Sequence, residues 1–396
     1  MKILFLAPRL PFPADTGAKI RTFNLLKQIV RVHKVHLLSF SFTEDSQAQQ
    51  ELKDLGIDLT IIKKTEALPL LAIFGEKPLS IAKYFSADFL NTLKTILKNG
   101  KFDLIHFDHL HMGQYISSIG NIPTVLDEHN VEAVILKRCA QKEPNLLKRT
   151  LFIQQAAKMR AFEAALVNKF SVCLTVSDED RRILCNLSQK TNIEVVTNGV
   201  DMEYFKASPL RVQSLSNQKD VLVFTGSMDW LPNIDSIEYF CNSILPLIWQ
   251  NKPNTVFYVV GKNPPKKILT LQNSDSRIII TGSVADVRTY MDKAKVFVVP
   301  LRIGGGTRLK IVEAMSYGIP VVSTRIGAEG IEAKDEKHLL LADSSGEFAE
   351  KVCRLIGNST LRSDIAINAR QLVEKQYDWK NIGIKLLSVY ENITRK

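Results

Sequence analysis

The chain has 396 residues, of which 45% are hydrophobic and 23% are charged. This length exceeds what one hydrophobic core usually serves, and the apolar fraction excludes an intrinsically disordered chain, so we predict two globular domains. The net charge of +11 favours an anionic partner, such as nucleic acid, acidic lipid or a phosphorylated metabolite.

The five cysteines are scattered and form no CxxC pair, which predicts reduced thiols and a cytoplasmic location. The apolar run at residues 2–7 is too short for a signal-peptide core. Since no later stretch reaches the roughly 18 apolar residues of a spanning helix, we expect a soluble protein, at most attached to the surface of a membrane.

In the first half of the chain, short apolar runs alternate with amphipathic helical stretches, a pattern that predicts parallel βαβ units. Near-continuous Val, Ile and Leu are typical of strands that helices cover on both faces. The predicted strands are residues 2–7, 34–40, 59–62, 104–107, 124–126 and 172–176.

The loop after the first predicted strand ends at Gly17 and leads into a helix that carries Arg21. A glycine at this point lets the backbone approach a ligand closely. A proline-rich connecting loop without a ligand is the alternative interpretation.

Histidines follow two of the predicted strands. His106, His109 and His111 cluster after strand 104–107, but without a nearby cysteine or an HExxH pattern we rank a zinc site low. His129 follows strand 124–126, at a carboxyl end where ligands bind in open α/β sheets. The alternative for His129 is a surface or helix-capping residue.

The helical region 137–169 combines eight basic residues with Leu146, Leu147 and other apolar side chains, a pattern that suits contact with an anionic membrane. A solvated helix face is the plainer alternative. Shortly after it, Ser177 and Asp180 have the spacing of an N-terminal helix cap. We therefore assign the acidic run 178–180 to the helix dipole and not to a metal.

The second half repeats the alternating pattern, with predicted strands at residues 194–197, 221–225, 256–260, 277–281, 296–300 and 321–324. We place the boundary of the first domain, residues 1–190, just before the first of these strands. The second domain is predicted to cover residues 191–375. A C-terminal helix at 376–396 could dock back on the first domain.

The glycine-rich segment after strand 296–300 is the most informative part of the sequence. Gly304, Gly305 and Gly306 let the backbone approach a ligand, and a helix predicted to begin at Thr307 offers free N–H groups. The segment is not a Walker A loop. No GxGxxG follows the first strand, which argues against a dinucleotide-dependent dehydrogenase.

Two cations follow these glycines in the first turn of the predicted helix. Arg308 and Lys310 oppose the helix dipole unless an anion lies nearby. Together with the glycines they predict a diphosphate-binding loop. A flexible loop followed by a basic helix face is the alternative.

The ordered set of motifs resembles glycosyltransferase family four, a family of retaining enzymes with the GT-B fold. The resemblance covers nearly the whole chain and is strongest from residue 194 to 330. Besides the glycine-rich loop it rests on DEHNVE at 127–132, VSDED at 176–180, TNGVD at 197–201, FTGSMDWLPN at 224–233, GSVAD at 282–286 and GAEG at 327–330. It implies two facing Rossmann-like domains with a deep interdomain cleft, the first binding the acceptor and the second the nucleotide-sugar donor.

The resemblance also implies roles for single residues. Glu313 matches the second Glu of the family's Glu-x7-Glu pair, which hydrogen-bonds the nucleotide ribose. Gly226 and Val284 match turns that contact the nucleotide, and His129 matches a cleft histidine near the reacting groups. Gly17 matches the first glycine of a Gly-Gly pair, where the backbone approaches the donor phosphate or the acceptor; Ala18 stands at the second.

The chain departs from the family pattern at two places. Gly305 stands where the family has its first Glu, which lies by the donor sugar. Met228 and Asp229 stand where many members have Arg and Lys, so we infer that Arg308 and Lys310 supply the charge that binds the diphosphate. We therefore predict metal-independent catalysis with His129, Arg308 and Lys310 as the catalytic residues.

These observations predict a retaining hexosyltransferase of polysaccharide biosynthesis, with a UDP- or GDP-linked sugar as donor and a glycan or lipid-linked acceptor. We expect no separate cofactor, no metal and no nucleic acid. Two alternatives stay open: a nucleotide-sugar epimerase of the same architecture, and a non-catalytic protein that binds sugar nucleotides or glycans.

Overall fold

The computed structural model describes residues 1–43, 45–65, 70–189, 191–206, 219–304 and 307–395. The chain divides into two compact units, one comprising Met1–Asn198 with Trp379–Lys396 and the other Gly199–Asp378. Each unit is built on one parallel β-sheet with helices connecting its strands. The prediction of two Rossmann-like α/β domains is confirmed.

The first unit contains a seven-stranded sheet in the order β3-β2-β1-β4-β5-β6-β7, and its strands pair in parallel. Strand β1 is buried on both faces, as its unbroken apolar sequence predicts. The strands are β1 Lys2–Ala7, β2 Lys34–Ser41, β3 Asp58–Lys63, β4 Leu104–Asp108, β5 Thr124–Glu128, β6 Val172–Thr175 and β7 Ile193–Val195.

Several helices of this unit pack on one face of the sheet around a core that includes Leu6, Phe107 and Leu126. The α-helices are α1 Gly17–Ile29, α2 Ser46–Asp54, α3 Leu79–Lys83, α4 Ala87–Asn99, α5 Glu132–Lys142, α6 Leu146–Val167 and α7 Asp178–Ser188, with 3-10 turns at Leu70–Ile73 and Leu110–Ser118. The cap predicted for α7 is confirmed, because the Ser177 hydroxyl accepts a hydrogen bond from the Asp180 backbone N–H at 3.1 Å.

One strand assignment was wrong. Residues 194–197 were predicted to open the second domain, but β7 pairs in parallel with β6, with Ile193 opposite Cys173. The strand therefore completes the first sheet, and the first unit runs to Asn198 where the sequence prediction ended it at residue 190. A three-residue strand carries too little pattern to indicate which sheet it joins.

The C-terminal helix, Trp379–Thr394, belongs to the first unit. It packs against α1, where a side chain at Gly383 would meet Gln28 at 2.5 Å. The Tyr390 hydroxyl lies 2.7 Å from Nδ1 of the buried His106. The close helix contact and the buried hydrogen bond hold the chain terminus on this unit.

The second unit contains a six-stranded sheet in the order β10-β9-β8-β11-β12-β13, also parallel. Its strands are β8 Val221–Thr225, β9 Val256–Val260, β10 Ile278–Gly282, β11 Val296–Val299, β12 Val321–Ser323 and β13 Leu340–Leu341. Its helices are α8 Leu231–Tyr239, α9 Leu245–Asn251, α10 Lys266–Leu269, α11 Leu271–Ser274, α12 Arg288–Met291, α13 Leu309–Ser316, α14 Ser345–Gly357 and α15 Ser359–Gln376, with a π-helical turn at Phe240–Ile244.

The helix after the glycine-rich segment begins later than predicted. Thr307 was expected to start it, but α13 begins at Leu309, and Arg308 is its N-cap residue with an extended backbone. Lys310 therefore lies in the first turn, whereas Arg308 precedes it. Gly305 and Gly306 lie outside the described residues.

Candidate functional site

The strand order creates a reversal point in each sheet, because β1 lies beside β4 and β8 lies beside β11. In open α/β sheets ligands bind outside the carboxyl ends of the strands at such a point. In the first unit Asp108 is the last residue of β4, and His129 directly follows the adjacent strand β5.

Two aspartates occupy these strand ends side by side, because the register of β4 and β5 places Asp108 opposite Asp127. Helix α1 supplies a partner to each of them. Arg21 donates two hydrogen bonds to the Asp127 carboxylate, from Nε at 2.9 Å and from Nη2 at 2.7 Å. The Thr22 hydroxyl donates to Oδ2 of Asp108 at 2.9 Å.

The predicted catalytic histidine lies between the two aspartates. His129 Nε2 is 3.0 Å from Asp108 Oδ1 and 3.6 Å from Asp127 Oδ2, and all three side chains are buried. Burial alone would lower the pKa of His129, but Asp108 and Asp127 outweigh it and raise this pKa to about 9. His129 is therefore a cation at neutral pH.

Three other histidines of this unit, His106, His109 and His111, have lowered pKa values. Burial lowers the pKa of His106 to about 4, that of His111 to about 3, and that of His109 well below its ordinary value. The His109 and His111 rings are in contact, with Nδ1 atoms 2.6 Å apart. At neutral pH His106, His109 and His111 are therefore uncharged neighbours of His129.

One group in this unit has the spacing of a metal site. His106, Asp108 and Asp127 each offer one ligand atom, and these atoms lie within 4.8 Å of one another. Both carboxylates already bind protein cations, Asp127 through Arg21 and Asp108 through His129. We therefore assign no metal to this group.

In the second unit the structure brings Lys310 and Gly226 together. Lys310 Nζ donates to Asn233 Oδ1 at 2.8 Å and lies 3.9 Å from the centre of the Phe224 ring. A Cβ atom at Gly226 would come within 2.8 Å of both Lys310 Nζ and Asn233 Nδ2. Only glycine fits at position 226 while the ammonium group keeps this place.

Arg308 has a similar relation to Gly304. A Cβ atom at Gly304 would lie 2.1 Å from Arg308 Nη2, so the guanidinium lies directly against the glycine backbone. Arg308 and Lys310 are also close enough that the Arg308 charge lowers the pKa of Lys310. Two cations and the first N–H groups of α13 thus gather at the carboxyl ends of β8 and β11.

Lys310 and Glu313 are both poised to change charge near neutral pH. Burial, with a smaller contribution from Arg308, lowers the pKa of Lys310 to about 7. Burial raises the pKa of Glu313 to about 7, and Lys310 opposes this rise. Both side chains retain some solvent exposure, so a ligand can reach them.

The remaining predicted site residues are more dispersed. The Thr307 hydroxyl is buried and donates to the Gly330 carbonyl at 3.3 Å, which joins the glycine-rich segment to the loop 327–330. Val284 follows β10 and packs partly against the core. Gly17 is the exposed first residue of α1 in the other unit.

Sequence analysis missed several residues of these sites. Three of them were assigned no role. Asn233 accepts from Lys310, Asp127 lies 3.6 Å from His129, and Thr22 donates to Asp108, the partner of His129. Asp127 and Asp108 carried a usable signal, because each is an acidic residue at the end of an apolar run. Asn233 carried none, since its contact with Lys310 joins positions 77 residues apart.

Two family models match the chain. Residues 16–204 match Glycosyltransferase Family 4, and residues 219–358 match Glycosyl transferases group 1. The chain is 25% identical to an uncharacterised glycosyltransferase of Methanocaldococcus jannaschii, over 100% of this chain and 99% of that protein. It is 24% identical to a phosphatidyl-myo-inositol mannosyltransferase of Mycobacterium leprae, over 56% of this chain and 59% of that protein.

The fold has close structural counterparts. HepE of Anabaena, solved in complex with UDP and glucose, superposes with a TM-score of 0.72 at 17% identity, over 99% of each chain. The two-sheet architecture is therefore GT-B, as predicted. The two family matches, taken together with this fold, support a group 1 glycosyltransferase.

Proposed function

We propose that this glycosyltransferase moves a hexosyl group from a nucleoside-diphosphate sugar to a glycan or lipid-linked acceptor, with retention of configuration and without a metal ion. The observation that carries the proposal is the cation pair at the start of α13, with Lys310 seated against Gly226 and Arg308 against Gly304. Two cations and a helix N-terminus can hold a diphosphate and stabilise its charge as the glycosidic bond breaks.

The donor is proposed to be linked to UDP or GDP. HepE, which shares the fold, has been solved with UDP-glucose as well as with UDP and glucose. In this chain Glu313 lies one helical turn after Lys310, where an ionised carboxylate can accept hydrogen bonds from ribose hydroxyls. Gly305 leaves the donor sugar without the family's first Glu, so we expect other residues to contact the sugar.

The acceptor is proposed to be glycan or lipid-linked. The relative from Mycobacterium leprae is named as a phosphatidyl-myo-inositol mannosyltransferase. The epimerase alternative is not favoured, because both family models describe transferases. A non-catalytic binding protein would hold the nucleotide sugar but show no turnover with any acceptor.

The first test is direct binding of UDP-, GDP- and ADP-sugars to the wild-type protein and to Glu313→Ala. We expect one nucleotide class to bind, and Glu313→Ala to bind it about 10- to 100-fold more weakly, because hydrogen bonds to a charged group contribute about 1.5–3 kcal/mol. Isothermal titration calorimetry measures both affinities.

The matched control is Glu347→Ala, which removes an exposed glutamate from the start of α14 in the same unit. It should bind like the wild type. If no nucleotide sugar binds to the wild-type protein, the transferase proposal is contradicted. Equal loss in both variants would mean that Glu313 does not contact the ribose.

We also propose that the protein works at the cytoplasmic surface of an anionic membrane. Among the described residues, every helix is too short or too polar to cross a bilayer. At the start of α6, Leu146 and Leu147 are exposed, the latter to 84%, beside the exposed cations Lys148 and Arg149. Apolar side chains next to cations suit the interface of an anionic bilayer.

A third exposed apolar side chain, Phe74, belongs to a segment that α6 contacts. Lys158 of α6 donates to the Ile73 carbonyl at 2.7 Å and so holds the neighbouring segment against the helix. Phe74 in that segment is 88% exposed. This phenyl ring is a further exposed apolar group that a bilayer could bury.

The test is sedimentation with vesicles of phosphatidylcholine, with or without phosphatidylglycerol. We expect binding only to the anionic vesicles, and a fall of about tenfold in the bound-to-free ratio for the double variant Leu146→Ser, Leu147→Ser, because apolar burial is lost. The double variant Ile367→Ser, Ile384→Ser removes two exposed isoleucines elsewhere and should bind normally. Unchanged binding of the leucine variant would exclude this surface.

A further inference from the structure

The two aspartates at the ends of β4 and β5 have unequal partners. Both carboxylate oxygens of Asp127 accept hydrogen bonds from the guanidinium of Arg21. Asp108 accepts from the neutral Thr22 hydroxyl on one oxygen and faces His129 Nε2 at 3.0 Å on the other. Among the ion pairs of the described residues, the cationic partner within hydrogen-bonding distance of Asp108 is therefore His129.

Because the two aspartates are buried, the difference between their partners decides how each negative charge is compensated. Asp108, Asp127, His129 and Arg21 are all buried, and an isolated buried charge is strongly unfavourable. Arg21 compensates Asp127, so the negative charge of Asp108 has to be compensated by a protonated His129. The four side chains then form two ion pairs with no net charge.

The other titratable groups around His129 do not supply this charge. The His109 ring lies 4.9 Å from the His129 ring, centre to centre. Burial lowers the pKa of His109, as it does for His106 and His111, so these three are neutral at pH 7. Burial likewise raises the pKa of Glu132 to about 7, and the His129 charge opposes that rise.

We propose that Asp108 is a positioning residue that orients His129 and keeps it as an imidazolium, so that His129 acts on the substrate as a charged hydrogen-bond donor and not as a general base. The part of this inference that concerns the substrate rests on the proposed transferase function. Because Nε2 is turned to Asp108, the proposed contact with a substrate uses Nδ1, the other ring nitrogen, which is buried in this structure.

This assignment has a definite chemical meaning. A protonated imidazole cannot accept a proton from an acceptor hydroxyl, so it cannot serve as the base in glycosyl transfer. A charged N–H donor instead stabilises negative charge that develops on an oxygen of the donor, such as a leaving phosphate. Asp108 supports this role because its carboxylate favours the charged form of the ring.

The test is an NMR titration of the histidine side chains in the full-length protein labelled with ¹⁵N-histidine, with His129→Gln to assign the signal. We expect the His129 pKa in the wild type to lie near 9, since the group stays protonated until the pH rises through that value. In Asp108→Asn, which keeps the side-chain shape without the charge, the His129 pKa should fall by about 1 to 3 pH units.

Two further variants separate charge from packing. Asp103→Asn removes a carboxylate that accepts from the Lys2 backbone N–H just before β4, and it should leave the His129 titration unchanged. Thr22→Val removes the hydroxyl that bonds Asp108 but keeps the Asp108 charge, so His129 should still titrate near 9. A fall as large as that of Asp108→Asn would show that packing, not charge, sets the protonation state.

Turnover supplies a second readout once the donor is known. If Asp108→Asn lowers the His129 pKa to about 7, the protonated fraction at pH 8 falls about tenfold, so kcat at pH 8 should fall about tenfold and recover towards pH 6. The KM for the donor should change much less. A fall in kcat that is the same at both pH values would contradict the proposed role.

The NMR titration tests the Asp108–His129 ion pair, whereas the turnover assay tests the proposed transferase function, so a negative result in one can be told from a negative result in the other. A wild-type His129 pKa at or below the ordinary value of 6.5 overturns the proposal, even if Asp108→Asn does not fold. An absence of glycosyl transfer with a normal titration would contradict the proposed function and leave the Asp108–His129 ion pair standing.

Discussion

Replacing Lys310 by alanine is expected to weaken binding of the nucleotide sugar by about 10- to 100-fold, the effect of losing one charged hydrogen bond to phosphate. Lys310 Nζ is held by Asn233 against Gly226, at the reversal point of the second sheet. The ammonium group contacts Asn233 and the Phe224 ring, which are both uncharged, and Glu313 raises its pKa only in part against burial and Arg308. A diphosphate would add negative charge beside this cation.

The pH dependence of binding gives this prediction its signature. Because burial lowers the pKa of Lys310 to about 7, the unliganded protein loses the Lys310 charge as the pH rises above 7. The dissociation constant should then increase by up to about tenfold per pH unit on the alkaline side. Lys310→Ala should abolish this alkaline weakening. Calorimetric titrations from pH 6 to pH 9 measure it.

We do not expect a loss of folding stability to explain weaker binding by Lys310→Ala. Burial disfavours the protonated form of Lys310, so its removal should not lower the stability of the protein. Lys267→Ala, which removes an exposed lysine paired with Glu238 in the same unit, is the matched control and should bind normally at every pH. If Lys310→Ala binds as tightly as the wild type, Lys310 does not contact the diphosphate.

Replacing Arg21 by alanine is expected to lower the free energy of unfolding of the first unit by about 3–5 kcal/mol, because it leaves the buried Asp127 carboxylate without its cation. Burial alone would raise the pKa of Asp127, but Arg21 and His129 outweigh it and hold this pKa below its ordinary value. Arg21 also donates to the Thr197 carbonyl and to Asn198, the last residues of the unit before the chain leaves it.

Urea unfolding, analysed with a separate transition for each unit, measures this loss. The loss in Arg21→Ala should shrink as the pH is lowered, because protonation of Asp127 removes the unpaired charge. Arg354→Ala breaks a solvent-exposed pair with Glu336 in the second unit and should cost less than about 1 kcal/mol. An equally small loss in Arg21→Ala would mean that Asp127 finds another partner.

Much of the fold could be predicted from the sequence because both sheets are parallel and covered. Most of their strands are rich in Val, Ile, Leu and Phe, and eleven of them lie where such a run predicts a strand in its own sheet. The two exceptions are the shortest of their sheets. β7 has three residues and β13 has two, so neither carries enough pattern to reveal its place.

The candidate sites were only partly predictable, for a related reason. Arg308 and Lys310 lie close to the three glycines in the sequence, so spacing and helix-terminus chemistry predicted them, whereas Glu313 was predicted from the family resemblance. The contacts that fix their geometry come from elsewhere in the chain, as Asn233 does for Lys310. The ion pairs around His129 arise from strand register, which places Asp108 beside Asp127, and a single sequence does not encode register in a readable form.

The position of the C-terminal helix has a consequence for how the protein folds. The first unit consists of two stretches of chain separated by the whole of the second unit, and its last helix buries Tyr390 against His106. On the ribosome, the N-terminal stretch emerges long before its missing helix, and the second unit can fold as an uninterrupted segment in between. Completion of the first unit is then a late event that closes a very long loop.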